Sequence, residues 1–194
     1  MARFTYRGLR GWPGLCLFII VTGLAIAQQQ GWLGGVLQPV ADNQPGLYQV
    51  SQFVDGDTIA VNMNGKTERI RMVGVDTPET HKPNTPVQCY GPAAAAFTKN
   101  ALANKKFRLV SDSLSTNRDR YDRLLRYVYL TDGSNFNQRL VREGYGFYYP
   151  YFPFTKSEQF AAEQAAAQKA KKGLWGNCSP VRNERGGYVS DNAS

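Results

Sequence analysis

Nine residues, Arg71-Met72-Val73-Gly74-Val75-Asp76-Thr77-Pro78-Glu79, bring together a guanidinium and two carboxylates. Ile70, Met72, Val73 and Val75 are apolar or β-branched, and residues 67–71 alternate polar with apolar, which is the period of a half-buried strand. Pro78 cannot donate to a sheet ladder and pushes Thr77 towards extended backbone, so Asp76 and Glu79 fall where a strand passes into a loop. Hard oxygen ligands, a base and a phosphate-gripping fork in one short stretch point to metal-assisted chemistry on a phosphate. Taken alone, the stretch would also read as a strand, a proline turn and solvated charges.

Two further pieces weigh against that bland reading. Upstream stands Asp55-Gly56-Asp57-Thr58, followed by the apolar run Ile59-Ala60-Val61. Downstream stands Asp119-Arg120-Tyr121-Asp122-Arg123-Leu124. The Asp-Gly-Asp pattern is not an EF-hand, because Ile59 occupies a ligand position and no glutamate closes the loop. Arg71 and Asp76 are an odd number of residues apart, so a plain strand would aim them at opposite faces. Both reach one site only if the strand bends, and Gly74 is where a bend costs least.

The elements that must carry these residues can be read from their punctuation. Residues 48–54, 58–63 and 67–75 read as three strands, with Asn64-Gly65 as a two-residue hairpin turn. Residues 76–90 are a loop holding three prolines. A helix should open at Pro92 and run to about Leu102. Residues 106–111 and 124–130 are two more strands. Asn135 caps a second helix ending at Gly144. Residues 145–154 are an aromatic connector, and Thr155-x-x-Glu158 is a capping box for a long Ala-rich helix that stops at Gly173. Five short strands with helices after the third suit an α+β domain on a small, partly open barrel rather than a βαβ fold.

Tyr90-Gly91-Pro92-Ala93 and Gly173-Leu174-Trp175 complete a motif set which, with the pieces above, resembles the thermonuclease (staphylococcal-nuclease-like) family from about Val50 to Trp175. The resemblance implies a five-stranded OB-type β-barrel with three helices. It implies one Ca²⁺ held by Asp57, Asp76 and the backbone carbonyl of Thr77. Glu79 would orient or deprotonate the attacking water, while Arg71 and Arg123 grip the phosphate. Arg120 and Tyr121 are further substrate-binding residues. Substrates would be DNA and RNA, bound without sequence specificity, single strands preferred, with 3′-phosphate products. Asp122 stands where the family commonly has glycine; if positive φ is needed there, Asp tolerates it better than most residues, and its charge beside Arg123 could weaken the grip on phosphate. The other reading is a non-catalytic OB-type module that binds nucleic acid or protein without turnover.

The chain has 194 residues and a formal net charge of +8, which suits a polyanion partner. Its one histidine, His81, argues against histidine-pair nuclease mechanisms and reads as an exposed loop residue. Residues 1–27 read as a signal peptide: Arg3, Arg7 and Arg10, an apolar run too short to span a bilayer comfortably, then Ala25-Ile26-Ala27. An uncleaved membrane anchor through residues 12–27 is the alternative. The protein is thus expected to be secreted or periplasmic, and a monomer. Cleavage would leave Cys89 and Cys178, an even pair that suits a disulfide in an exported protein, two free thiols being the alternative. Residues 28–46 read as a linker, 47–176 as the nuclease domain and 177–194 as a disordered tail.

Overall fold

The computed structural model describes residues 46–80 and 85–192. The leader, all but the last residue of the linker, and His81 lie outside them. In chain order the elements are β1 (Val50–Phe53), β2 (Thr58–Met63), β3 (Lys66–Met72), β4 (Val75–Asp76), α1 (Gly91–Leu102), β5 (Phe107–Val110) and β6 (Leu124–Leu130). There follow α2 (Phe136–Arg142), β7 (Phe147–Tyr148), α3 (Ser157–Lys169), the single-turn α4 (Leu174–Asn177), β8 (Val181–Arg182) and β9 (Tyr188–Val189). No helix among the described residues is long and apolar enough to cross a membrane.

Five strands form one mixed sheet in the order β1-β2-β3-β6-β5. The first three are an antiparallel meander. Its tight turn has positive φ at both Asn64 (52°) and Gly65 (83°), the condition for a two-residue hairpin that follows the twist of its strands. β6 lies parallel to β3, with Ile70 opposite Leu124 and Arg71 opposite Leu125. The expected barrel is not closed. β1 and β5 are four residues each, β1 shifts register between Val50 and Gln52, and a single bridge between Tyr48 and Phe107 joins the two sheet edges.

The core lies between this sheet and the helices. Ile59, Val61, Ile70, Met72, Leu109 and Val128 meet Leu102 of α1, Phe136 and Leu140 of α2, and Phe160 of α3. One buried polar residue, Asn137, fixes the sheet where it matters for the site. Its Nδ2 donates to the carbonyls of Val73 and Arg126, both at 3.0 Å, and its Oδ1 accepts from Val128 N at 2.9 Å. A buried amide with its partners satisfied holds geometry more firmly than apolar contact does.

Two local expectations give way to tertiary partners. Thr155 does not cap α3: its N–H and its hydroxyl both donate to Asp112 Oδ2, and Lys156 takes the cap position without a side-chain bond. The expected tail carries ordered elements as far as residue 192, its last two residues lying outside the described ones. β8 and β9 pair as a hairpin, Tyr188 stacks on Phe147 at 6.0 Å and meets Trp175 edge-on at 5.0 Å, and Cys89 N donates to Asp191 O at 2.7 Å. A disulfide joins Cys89 to Cys178, their Cα atoms 5.9 Å apart.

Candidate active site

The strand bend expected at Gly74 is present. β3 ends at Met72, Val73 and Gly74 turn with φ of 76° at the glycine, and β4 resumes at Val75. The left-handed backbone suits glycine, and a Cβ there would lie 2.6 Å from the Phe154 ring. β4 pairs with β7, and Tyr149 N donates to Gly74 O at 3.0 Å, so the bend is held from the aromatic connector.

The bend returns Asp76 to the side of Arg71. The Arg71 guanidinium lies 2.7 Å from Asp76 Oδ1 and 3.1 Å from Asp57 Oδ2, and its Nη1 also donates to Val75 O at 2.6 Å. Asp57 is buried just before β2, whose first residue, Thr58, pairs with Arg71. Its carboxylate accepts from Thr58 Oγ1 at 2.9 Å and from Thr77 N at 2.8 Å. Asp57, Arg71, Asp76 and Thr77 are therefore in one contact group. Gly56 is required beside it, since a Cβ would sit 2.7 Å from Thr77 Oγ1.

Asp55, which the motif reading left without a role, stands behind this group. Its Oδ1 accepts from Asp57 N at 3.1 Å. Burial, and then the charge of Asp57, push its carboxyl up to about 7 against the pull of Arg71. Arg71 is desolvated, yet Asp57, Asp76 and Asp55 hold its pKa above the usual value. Asp57 and Asp76 against one guanidinium leave negative charge over. Among the described residues, the one set of three closely spaced His, Cys, Asp or Glu donor atoms is Cys89, Cys178 and Asp191, where the disulfide consumes both thiols.

Glu79 follows three residues after Asp76. Its backbone is gripped at both ends by Gln88: Glu79 N donates to Gln88 Oε1 at 2.8 Å, and Gln88 N donates to Glu79 O at 2.9 Å. Gly91, at the start of α1, packs against the same stretch, where a Cβ would meet Glu79 O at 2.9 Å. Among the described residues the Glu79 carboxylate makes no ion pair. Gln88 carried no sequence signal, because its partner is a backbone group across a loop.

Arg123 directly precedes β6, and its ion pair is with Asp119. Asp119 holds it, accepting from Nε at 2.7 Å and from Nη2 at 2.7 Å. Tyr121 is 64 % exposed, with Arg123 at 5.4 Å and Arg120 at 4.8 Å from its ring, and its hydroxyl accepts from Arg120 at 2.7 Å. Asp122 does adopt positive φ, 61°. That turn sends its carboxylate towards Arg118, 3.4 Å away, so the acid on Arg123 is Asp119 and not Asp122. Arg126 is buried within β6 and braced by Asn117, which removes it from the arginines able to meet a ligand.

An α+β domain with a mixed five-stranded sheet, an acidic cluster around Arg71 at a bent strand and a second arginine just before β6 is the class that fold and site define together. The chain belongs to the staphylococcal nuclease homologue family, whose sequence pattern matches residues 69–177. It is 47% identical over 133 residues to the thermonuclease of Staphylococcus hyicus, covering 67% of this chain and 76% of the relative. It is 39% identical over 164 residues to the thermonuclease of Staphylococcus intermedius, covering 84% and 95%. Endonuclease YncB of Bacillus subtilis (strain 168) is 40% identical over 149 residues, covering 75% of this chain and 70% of the relative.

Proposed function

We propose that the protein is an exported, Ca²⁺-dependent nuclease that hydrolyses phosphodiester bonds of DNA and RNA, prefers single strands and leaves 3′-phosphates. The observation that carries this reading is the Arg71 fork set between Asp57 and Asp76, beside the loop bearing Glu79. Relatives named thermonuclease and endonuclease support it.

The donor set fits a hard cation. Asp57, Asp76 and the Thr77 carbonyl are all oxygen ligands, Ca²⁺ accepts backbone carbonyls and waters alongside carboxylates, and the charge that two carboxylates leave over beside one guanidinium is what a dication would offset. When bound, Ca²⁺ would neutralise phosphoryl oxygens and orient substrate. Glu79 aligns the attacking water or takes its proton. The water oxygen bonds to phosphorus as the bond from phosphorus to the 5′ oxygen breaks, and that oxygen leaves as a hydroxyl after gaining a proton. Arg71 and Arg123 hold the phosphoryl oxygens whose charge builds on the way. A guanidinium has five N–H donors, so Arg123 can keep Asp119 and still offer a phosphate the rest.

Cleavage of denatured DNA, measured with Ca²⁺, with EGTA and with Glu79→Gln, tests the reading. Cleavage in Ca²⁺ alone, and its loss in the other two conditions, is expected. A strand bound but left intact in all three means a binding module. Full activity in EGTA, or rescue by Zn²⁺ only, removes the metal assignment. Export is checked by N-terminal sequencing, which should begin at Gln28; intact Met1 in the membrane fraction favours the anchor.

A further inference from the structure

We propose that the C-terminal β8–β9 hairpin is a second phosphate-binding position, at which Arg182 and Arg185 hold a nucleic-acid strand beyond the phosphate being cleaved. The inference rests on the nuclease reading for its substrate and goes beyond it in assigning work to the tail.

The turn joining the two strands is closed by hydrogen bonds on Asn183. Asn183 N donates to Gly187 O at 2.8 Å, and the Asn183 Oδ1 accepts from Arg185 N at 3.1 Å and Gly187 N at 3.2 Å. The turn is docked on one side chain of the aromatic connector. Asn183 Nδ2 donates to the Tyr151 hydroxyl, the Arg185 guanidinium lies 5.6 Å from the Tyr151 ring centre, and any Cβ at Gly187 would run into the Tyr151 hydroxyl.

Tyr151 is continuous with the site. Its ring meets Tyr149 edge-on at 4.6 Å, and the Tyr149 ring centre is 5.7 Å from Arg71. Arg185 and Arg71 are thus no further apart than three short contacts laid end to end. Folds that bind single strands cover ~4–16 nucleotides, so both arginines fall within one footprint. Arg182 and Arg185 are exposed, and Glu184 is the one acid in the turn, so the hairpin presents net positive charge beside aromatic faces. Backbone phosphates and bases ask for that combination. A turn needed only to cover Trp175 would require neither arginine, because Tyr188 does the covering.

The test compares the parent protein with Arg182→Ala/Arg185→Ala and Arg182→Lys/Arg185→Lys. Binding of a fluorescent long oligothymidylate is measured by anisotropy across a salt series, in EGTA so that the strand stays whole. The alanine pair should weaken binding, and the slope of log affinity against log salt should shrink by about 0.7 for each arginine lost, while the lysine pair keeps the slope. In Ca²⁺, the alanine pair should raise KM for the long strand and leave kcat/KM for a dinucleotide, too short to reach the hairpin, as in the parent. Unchanged salt slope, or equal losses on both substrates, overturns the hairpin assignment. If the parent cleaves neither substrate, the nuclease reading fails while the binding comparison still decides the hairpin.

Discussion

Arg71 and Asp76 form a 2.7 Å ion pair although five residues along a strand should turn them to opposite faces. The exception is made by Gly74, whose positive φ ends one strand and starts another. Gly74→Ala should therefore do two things. A Cβ at that φ, pressed on Phe154, should cost on the order of 3 kcal/mol in a urea titration. The residual folded protein should have lost most of its activity, because Asp76 no longer faces Arg71. A variant with the parent's midpoint and rate would mean that the bend is dispensable.

Arg123→Ala should lower the maximal rate by roughly 10² to 10³, the usual effect of removing one donor to developing charge, with a much smaller change in KM. Asp122→Gly should leave the rate within about twofold of the parent, since its exposed carboxylate faces Arg118 and such pairs contribute little. Single-turnover rates of the two variants separate the alternatives. A large gain from Asp122→Gly would return the competing carboxylate to that residue.

Gln88→Met removes the acceptor for Glu79 N at nearly constant volume. Turnover should fall about tenfold, as about 1–2 kcal/mol of loop order is lost, with KM little changed. Gln88→Glu keeps an acceptor in place and should recover most of the rate. A thermal midpoint lowered equally in both variants, without the split in turnover, would make Gln88 only structural.

Asp112 predicts an acid limb of stability. Burial would raise its carboxyl, but hydrogen bonds from Thr155, Leu114 and Tyr127 outweigh that and bring it below the usual carboxylate value. A group whose folded pKa is depressed stabilises fully above its unfolded value, about 3.9, and loses that stabilisation as pH falls through the lower folded value. Urea midpoints from neutral pH downwards should drop less steeply for Asp112→Asn than for the parent. Parallel curves would show that Asp112 carries no share of the limb.

The residues of the Asp57 group were legible because each lies in a motif with its own backbone logic. β2 and β3 announce themselves by alternation and the Asn64-Gly65 turn, and the parity of Arg71 and Asp76 required a bend at Gly74. The contacts that tune the site were not legible. Thr155 sits in a capping-box pattern, but a carboxylate 43 residues earlier competes for its donors and wins. Asp122 is the sequence neighbour of Arg123, yet its left-handed backbone turns it away and leaves the contact to Asp119. β8 and β9 are two residues each, too short for any periodicity to show. They are held by a disulfide and by stacking on rings that lie far off in sequence.

The bond between Cys89 and Cys178 has a consequence in time. Cys178 follows all five strands of the main sheet in the chain, so the covalent tie beside Gln88 cannot close until every strand of that sheet has been made. It closes only where thiols are oxidised. Asp57, Arg71 and Asp76 lie about 100 residues before Cys178 and can meet before it is made. The loop carrying Glu79 is pinned after the sheet, and a cell that makes the protein in a reducing cytoplasm holds it there without that restraint.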